Sequence, residues 1–135
     1  MYESISVVDN AMISVWVYPQ RRMIHHQIKA HCHGQNFRDA LTRGTAALVQ
    51  HRATKWLSDD RNNGAVLAED AAWAQSVWFP RTKSAGWRYW AVVQPAKIIG
   101  QMNMARFVKE CAAQGISARM FADPNAALAW LDASG

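Results

Sequence analysis

The spacing of apolar residues changes once along the chain, and this change constrains the fold more than any other feature of the sequence. Between Met12 and Tyr18, apolar residues recur at every second position, which is typical of a β-strand. From Phe37 onward the apolar spacing is four, three and four, which predicts a helix with a single apolar stripe. We therefore expect strands in the N-terminal third, followed by alternating helices and strands.

The segments along the chain predict the element order β-β-β-α-β-α-β-α-β-α. This order indicates an α/β fold in which antiparallel N-terminal strands lead into a mainly parallel sheet through right-handed βαβ units. Residues 1–135 are expected to form a single domain, because one core usually holds about 100–200 residues. The predicted strands cover 4–8, 12–18, 23–31, 55–60, 87–93 and 116–121, and the predicted helices begin near residues 35, 69, 102 and 123.

Three small or rigid residues carry specific expectations for the helices. Gly44 lies on the apolar stripe of the first helix, where glycine costs roughly 1 kcal/mol of helix propensity relative to alanine. Close packing of this helix against the sheet is the predicted reason. Pro80 is expected to kink or end the second helix, and Gly86 is expected to stop it.

Composition limits the classes of function. The net charge is +5 and the pI is about 9.6, but the basic residues are scattered, which does not favour nucleic-acid binding. The two cysteines, Cys32 and Cys111, cannot build a disulfide framework, so a reduced cytoplasmic protein is expected. The N-terminus lacks a signal-peptide pattern and no stretch approaches ~20 apolar residues, so no membrane insertion is predicted.

The stretch KWLSDDRNNGAV places polar residues at the carboxyl end of a predicted strand. Open α/β sheets bind ligands at such ends, so a polar pocket is one interpretation of the residues Asp59, Asp60, Arg61 and Asn62. The other interpretation is structural. Asp60 would then pair with Arg61 or cap the following turn, and Asn63-Gly64 would supply a positive φ.

Seven tryptophans form the second candidate site. Trp56, Trp73 and Trp90 are assigned to the core, where each would bury roughly 150–250 Å². The aromatic residues around Pro80 could instead form an exposed patch that binds a partner or an apolar ligand, with core packing as the alternative. The aromatic candidates for partner or ligand binding are Trp73, Trp78, Phe79 and Trp87.

The histidine-rich stretch HHQIKAHCH raises the question of a metal site. On a strand, His25, His31 and His33 would share one face, a possible arrangement for zinc. The stretch lacks CxxC and HExxH, and the alternative is an exposed or edge-strand run with incidental histidines. We predict no metal and no cofactor.

Motifs for covalent catalysis or phosphate binding are also missing from the sequence. There is no G-x-S-x-G elbow and no glycine-rich phosphate loop with the required lysine. Cys111 falls on the inner stripe of a helix and is expected to be an inert buried thiol. No catalytic residue is therefore predicted, and the protein is expected not to be an enzyme.

Three stretches, KWLSDDRN, EDAAWAQSVWFPRTKSAGWRYWAVV and MFADPNAALAWL, resemble the anti-sigma-factor antagonist family, also called STAS or SpoIIAA-like. The resemblance is to the small stand-alone bacterial proteins of the STAS/Sec14 type. It implies a mixed sheet of four or five strands with helices packed mostly on one face. In that family a serine at the end of the central strand is a phosphorylation switch. Here Arg61, Asn62 and Asn63 follow the acids, and Ser58 is expected to be buried.

These observations predict a bacterial cytoplasmic protein that acts through protein–protein interaction, as a homodimer that uses an edge strand or the aromatic patch. The alternative is a binder of a small apolar or lipid-like ligand, which would need a closed apolar cavity near Trp73, Trp78 and Trp90. A metal-dependent enzyme that uses the histidine run is the third hypothesis.

Overall fold

One mixed sheet holds all the strands of the described chain, in the order in which they occur in the sequence. The structure is a computed structural model that describes residues 3–64 and 66–135. Within these residues the first three strands are antiparallel and the rest are parallel, so the predicted α/β class with antiparallel N-terminal strands is confirmed. The strands are β1 (Ile5–Asp9), β2 (Ile13–Tyr18), β3 (Met23–Ile28), β4 (Lys55–Asp59), β5 (Tyr89–Val93) and β6 (Ser117–Phe121).

The helices connect the parallel strands and close the chain. They are α1 (Gly34–Gln50), α2 (Ala68–Trp73), α3 (Phe79–Ser84), α4 (Ile98–Ala112) and α5 (Pro124–Ala133), with a π-helical segment (Ala74–Trp78) between α2 and α3 and a 3-10 turn at Pro19–Arg21. Helix α4 begins earlier than predicted, because its first turn carries the exposed residues Ile98 and Ile99, which do not follow the buried stripe. In the described part of the chain, no helix combines the length and hydropathy needed to span a bilayer.

The side chains of the sheet divide into two apolar layers. Successive residues of a strand point to opposite faces, so Trp56 of β4 joins the larger core with α1 and α4, while Leu57 joins the smaller core beneath α5. On the α5 side, Ala127 and Leu131 are fully buried. The helices thus lie mostly on one face of the sheet, as predicted.

The register of the three central parallel strands brings polar residues into one row. His26 of β3 pairs with Ser58 of β4, which pairs in turn with Val92 of β5. These residues share the face covered by the larger core. Because the strands run in the same direction, their carboxyl ends meet at one edge of the sheet, beneath the segments that lead into α1, α2 and α4.

The segment around Pro80 differs from the expectation that the helix ends there. Pro80 neither ends the helix nor interrupts helical structure, because the π-helical segment precedes it and places the proline in the first turn of α3. In the first turn of a helix a missing N–H leaves no hydrogen bond unmade. The helix ends at Ser84, and Gly86 follows with a φ of +119°, so the predicted stop is confirmed.

Gly44 allows α1 to approach the sheet closely. A Cβ placed on Gly44 would lie 2.6 Å from Cη2 of Trp56, a residue with no exposed surface. The ring therefore fills the space that any side chain at Gly44 would need. The predicted close packing of helix on sheet is confirmed.

We expect Gly44→Ala to lower the free energy of unfolding by about 1–2 kcal/mol, because overpacking against Trp56 outweighs the gain of about 1 kcal/mol in helix propensity. Urea denaturation followed by circular dichroism measures the change. Thr42→Ala, on the exposed side of the same helix, is the matched control and should change stability by less than about 0.5 kcal/mol. A Gly44→Ala variant as stable as the wild type would show that Trp56 can move aside.

Candidate functional site

A cavity of about 430 Å³ opens at the carboxyl end of β3, β4 and β5, on the face covered by α1, α2 and α4. Its walls are mainly apolar and aromatic. Polar side chains line it on two sides. His26, Ser58, Asp60 and Asn63 belong to the strands and the segment after β4, and Gln75, Asn103, Arg106 and Glu110 belong to the helical segments. Its apolar lining includes the side chains of Ile28, Phe37, Leu41, Trp78, Trp90 and Phe107.

A chain of hydrogen bonds runs through the interior to this cavity. Nε1–H of Trp56 donates to Nδ1 of His26 at 3.0 Å, and Nε2 of His26 lies 2.9 Å from Oδ1 of Asp60. Nδ1 must be unprotonated to accept from Trp56, so the proton of the imidazole is on Nε2 and is donated to Asp60. The hydrogen bonds therefore fix His26 as a neutral imidazole.

Asp60 presents a nearly enclosed carboxylate to the cavity. Its exposed fraction is 3%, and its Oδ1 accepts the hydrogen bond from His26. Among the residues that the structure describes, Oδ2 of Asp60 accepts no hydrogen bond, and His26 is the only basic side chain within 4 Å of the carboxylate. Because His26 is neutral, no cation of the described chain lies within 4 Å of the Asp60 carboxyl group.

Two polar atoms in residues that line the cavity are buried without a hydrogen-bond partner among the described residues. They are Nε1 of Trp78 and Oδ1 of Asn63. Leaving a buried donor or acceptor unpaired costs about 1–3 kcal/mol. A donor and an acceptor therefore remain unmatched in the walls around Asp60.

Ser58 lies beside His26 but is not placed to act as a nucleophile. Its Oγ accepts a hydrogen bond of 2.9 Å from Nε1 of Trp90, and its exposed fraction is 1%. The predicted burial of Ser58 is confirmed. The serine orients Trp90, which is one of the aromatic walls of the cavity.

Asp70 holds α2 against the start of α1 and so fixes the far side of the cavity. Its Oδ2 accepts from the backbone N–H of Gly34 at 2.9 Å, and its Oδ1 accepts from Nε of Arg38 at 3.3 Å. Asp70 is 2% exposed, so these bonds form a buried link between α1 and α2. Asp70 is also an acidic residue in the first turn of α2.

The two acids of the DD pair point to opposite faces of the sheet. Asp59 forms a bidentate pair with Arg61, with distances of 2.9 Å from Nε and 2.8 Å from Nη2. Burial acts to raise the pKa of Asp59, but the hydrogen bonds from Arg61 outweigh it and hold that pKa below its usual value. The alternative pairing of Asp60 with Arg61 is therefore wrong. Asn62 is exposed, and Gly64 does not have the positive φ that was expected of it.

The aromatic residues around Pro80 do not form an exposed patch. Phe79 and Trp87 have no exposed surface and Trp78 is 3% exposed, so core packing is the correct interpretation for these three. Trp78 alone among them also lines the cavity. Trp73 is half-buried, packs edge-on against Phe37 and lies beneath the guanidinium of Arg38, at 5.7 Å from Cζ to the ring centroid.

The histidines of the HHQIKAHCH stretch do not lie together in the structure. His25 faces the α5 side, where its Nδ1 lies 3.3 Å from the Tyr18 hydroxyl, whereas His31 and His33 follow the end of β3 with ring centroids 5.0 Å apart. The predicted sharing of one face is wrong because the strand ends at Ile28. In residues 3–64 and 66–135, no group of three potential ligands could hold a metal ion.

Sequence reasoning missed His26, and the signal for it was present. His26 alternates with Ile24 and Ile28, both buried, so it was the histidine on the apolar face of the strand. The alternative was an exposed or edge-strand run: β3 lies between β2 and β4 and is not an edge strand, whereas His31 and His33 beyond its end are exposed. Cys111, in contrast, matches its prediction: it is buried, and burial raises its pKa to about 12.

We expect His26→Leu to lower the free energy of unfolding by about 3 kcal/mol, because it leaves the Asp60 carboxylate and the Trp56 N–H without partners in the interior. The double variant His26→Leu/Asp60→Leu should lose less than the sum of the two single changes, since it removes both polar groups. Urea denaturation of the four proteins gives the coupling. Additivity within about 0.3 kcal/mol would show that the two side chains do not interact.

The pH dependence of stability should report on His25. Burial lowers the pKa of His25 from 6.5 to about 4, and the nearby carboxylate of Asp59 only partly opposes this shift. The unfolded chain therefore binds this proton near pH 6.5 while the folded chain does not, so stability is lost as the pH falls from 6.5 towards 4. Between pH 7 and pH 5, the wild type should lose about 2 kcal/mol more than His25→Gln in urea denaturation. Parallel pH profiles for the two proteins would contradict this.

Comparison with known proteins adds no family to these observations. No family model, no curated protein and no solved structure matches the chain. The resemblance to the STAS and SpoIIAA-like proteins therefore stays a prediction from the three quoted stretches, and the interpretation of the site depends on its own geometry.

Proposed function

We propose that the protein binds a small, mainly apolar molecule in the cavity between the sheet and helices α1, α2 and α4. One observation carries the proposal: a space of about 430 Å³ has apolar and aromatic walls that converge on a single buried carboxylate, Asp60. Small-molecule sites typically combine a concave apolar lining with a few polar groups that orient the ligand.

The packing of the rest of the interior supports this proposal. Protein interiors leave few voids larger than a water molecule, and the core around Trp56 is dense enough to exclude a Cβ on Gly44. The cavity lies in the next layer of the same face, where Phe37 and Trp78 contribute to its wall as well as to the core. The cavity is therefore confined to one end of the sheet, where ligands of α/β folds commonly bind.

The engagement of His26 favours binding over catalysis. Both ring nitrogens are already used, Nδ1 by Trp56 and Nε2 by Asp60, within a buried part of the sheet. A general acid or base must be able to reach the reacting proton directly or through one water. His26 instead positions Asp60, which suits a site that holds a ligand.

The test is to obstruct the cavity from an exposed position on α2. Ala71 lines the cavity and is exposed, so Ala71→Trp should occupy the space without disturbing the core. Ala72→Trp, on the same helix but outside the cavity lining, is the matched control. The probes are a panel of fatty acids, isoprenoids and aromatic amines, and the readout is the Tm by circular dichroism.

A probe that binds should stabilise the wild type and Ala72→Trp by about 2.7 kcal/mol at a hundredfold excess over its Kd, and should leave Ala71→Trp unchanged. Equal shifts in the two variants would place binding elsewhere. A panel without any effect on the wild type would count against ligand binding in this cavity.

A protein–protein role is the second candidate, and one surface favours it. The first turns of α4 expose three apolar side chains: Ile98 at 72%, Ile99 at 72% and Met102 at 60%. Exposed apolar groups that cluster on one helix often mark an interface. A second copy of this chain, paired through α4, is the partner we propose for this surface.

Sedimentation velocity over a concentration series tests this second candidate. The wild type should show a concentration-dependent dimer, and Ile98→Glu/Ile99→Glu should shift it to monomer because burying two unpaired charges is costly. Thr42→Glu on the exposed side of α1 is the control. A wild type that stays monomeric at the highest concentration contradicts the proposed dimer.

A further inference from the structure

We infer that the cavity selects a ligand with an amine group, in which a cationic nitrogen faces Asp60 and an apolar body fills the rest of the space. This inference rests on the proposed function and specifies the chemistry of the ligand. It follows from the charge of the site, the tautomer of His26 and the aromatic walls.

The first step is the charge of Asp60. A carboxylate in an apolar enclosure is stabilised by a cation and by hydrogen-bond donors, and here Oδ1 has a donor while Oδ2 has none among the described residues. Since Oδ2 belongs to a residue that lines the cavity, a donor on the ligand can reach it from the cavity side. A protonated amine supplies both the charge and the donors.

The second step excludes His26 as the counter-ion. A protonated imidazole would carry a hydrogen on Nδ1, directed at the N–H of Trp56 only 3.0 Å away. Two donors cannot face each other at that distance without repulsion, so the bond from Trp56 keeps His26 neutral. A cation that pairs with Asp60 must then come from outside the pair of His26 and Asp60.

The other cations near the site have different roles in the described structure. Arg61 is paired with Asp59 on the opposite face of the sheet, and Arg38 is paired with Asp70. Arg106 lines the cavity but is exposed, shares the rim with Glu110, and does not come within 4 Å of Asp60. We therefore expect the ligand to supply the cation that pairs with Asp60.

The third step is the aromatic lining. Trp78 and Trp90 both line the cavity, with ring centroids 6.3 Å apart and planes at 72°, and Phe107 lies edge-on to Trp90 at 5.6 Å. A cation within about 6 Å of such ring faces is attracted by them, more strongly where water is excluded. A ligand carboxylate would meet both Asp60 and these negative ring faces, so acids such as fatty acids are disfavoured.

The test compares three probes that share one aromatic body. These are 2-naphthylmethylamine, 2-naphthylmethanol and 2-naphthoate, each titrated into the chain of residues 1–135 by isothermal titration calorimetry at pH 7. We expect the amine to bind at least tenfold more tightly than the alcohol, and the carboxylate to bind most weakly. An amine that binds no better than the alcohol overturns the inference, as does an amine that does not bind at all.

Two matched variants assign the preference to one carboxylate. Asp60→Asn keeps an oxygen that can accept from His26 but removes the charge, so the amine and the alcohol should bind with Kd values within about twofold of each other. Asp59→Asn removes the neighbouring carboxylate on the other face and should retain the tenfold preference. A preference that survives Asp60→Asn, or disappears in Asp59→Asn, contradicts the assignment to Asp60.

The outcomes separate this inference from the proposed function. If all three probes bind equally and Ala71→Trp abolishes their binding, the cavity is a ligand site without amine selectivity. If no probe binds and the wider panel also fails, both conclusions fall. Should Asp60→Asn not fold, the order of the three affinities on the wild type still decides the inference.

Discussion

The hydrogen-bond chain from Trp56 through His26 to Asp60 is the constraint on which this end of the structure depends. It links the indole beneath α1 to the carboxylate at the carboxyl end of β4, and all three residues are buried. In these two hydrogen bonds Trp56 can only donate, so Nδ1 of His26 accepts and Nε2 of His26 donates to Asp60. Only one arrangement of protons satisfies both bonds. That arrangement holds the Asp60 carboxyl group at a fixed place in the lining of the cavity.

The same tryptophan connects the site to the packing of the fold. One edge of Trp56 fills the space beside Gly44, its Nε1 holds His26, and its ring stacks in a T-shape with Trp78 at a centroid distance of 5.1 Å. The position of Trp56 therefore determines three features together: how closely α1 packs on the sheet, how the imidazole of His26 is oriented, and where Trp78 lies in the cavity wall. A shift of the Trp56 ring would disturb all three contacts, so the packing of the core holds the residues of the cavity in place.

Much of the fold could be predicted from the sequence because hydrophobic periodicity and turn residues are local signals. These signals predicted the strands, the order of the elements and the close packing of α1 on the sheet at Gly44. The site was harder because it depends on which face each residue takes and what lies opposite. Asp59 and Asp60 are adjacent in sequence yet belong to different faces, and the partner of Asp60 is His26 on another strand. Likewise, the effect of Pro80 depended on a local change of helix type that composition does not reveal.

The π-helical segment has a consequence for how this cavity can change over evolution. A π-turn holds one more residue than an α-turn, so loss of a single residue between Ala74 and Trp78 would restore α-helical winding. Because a π-turn and an α-turn each complete one rotation of the helix, α2 and α3 would keep their relative orientation after such a deletion. The alanine face of α2 would still line the cavity, whereas loss of one residue from a purely α-helical turn would rotate the preceding helix by about 100°. The π-helical segment is therefore a place where the chain can change in length by one residue and keep this wall of the cavity.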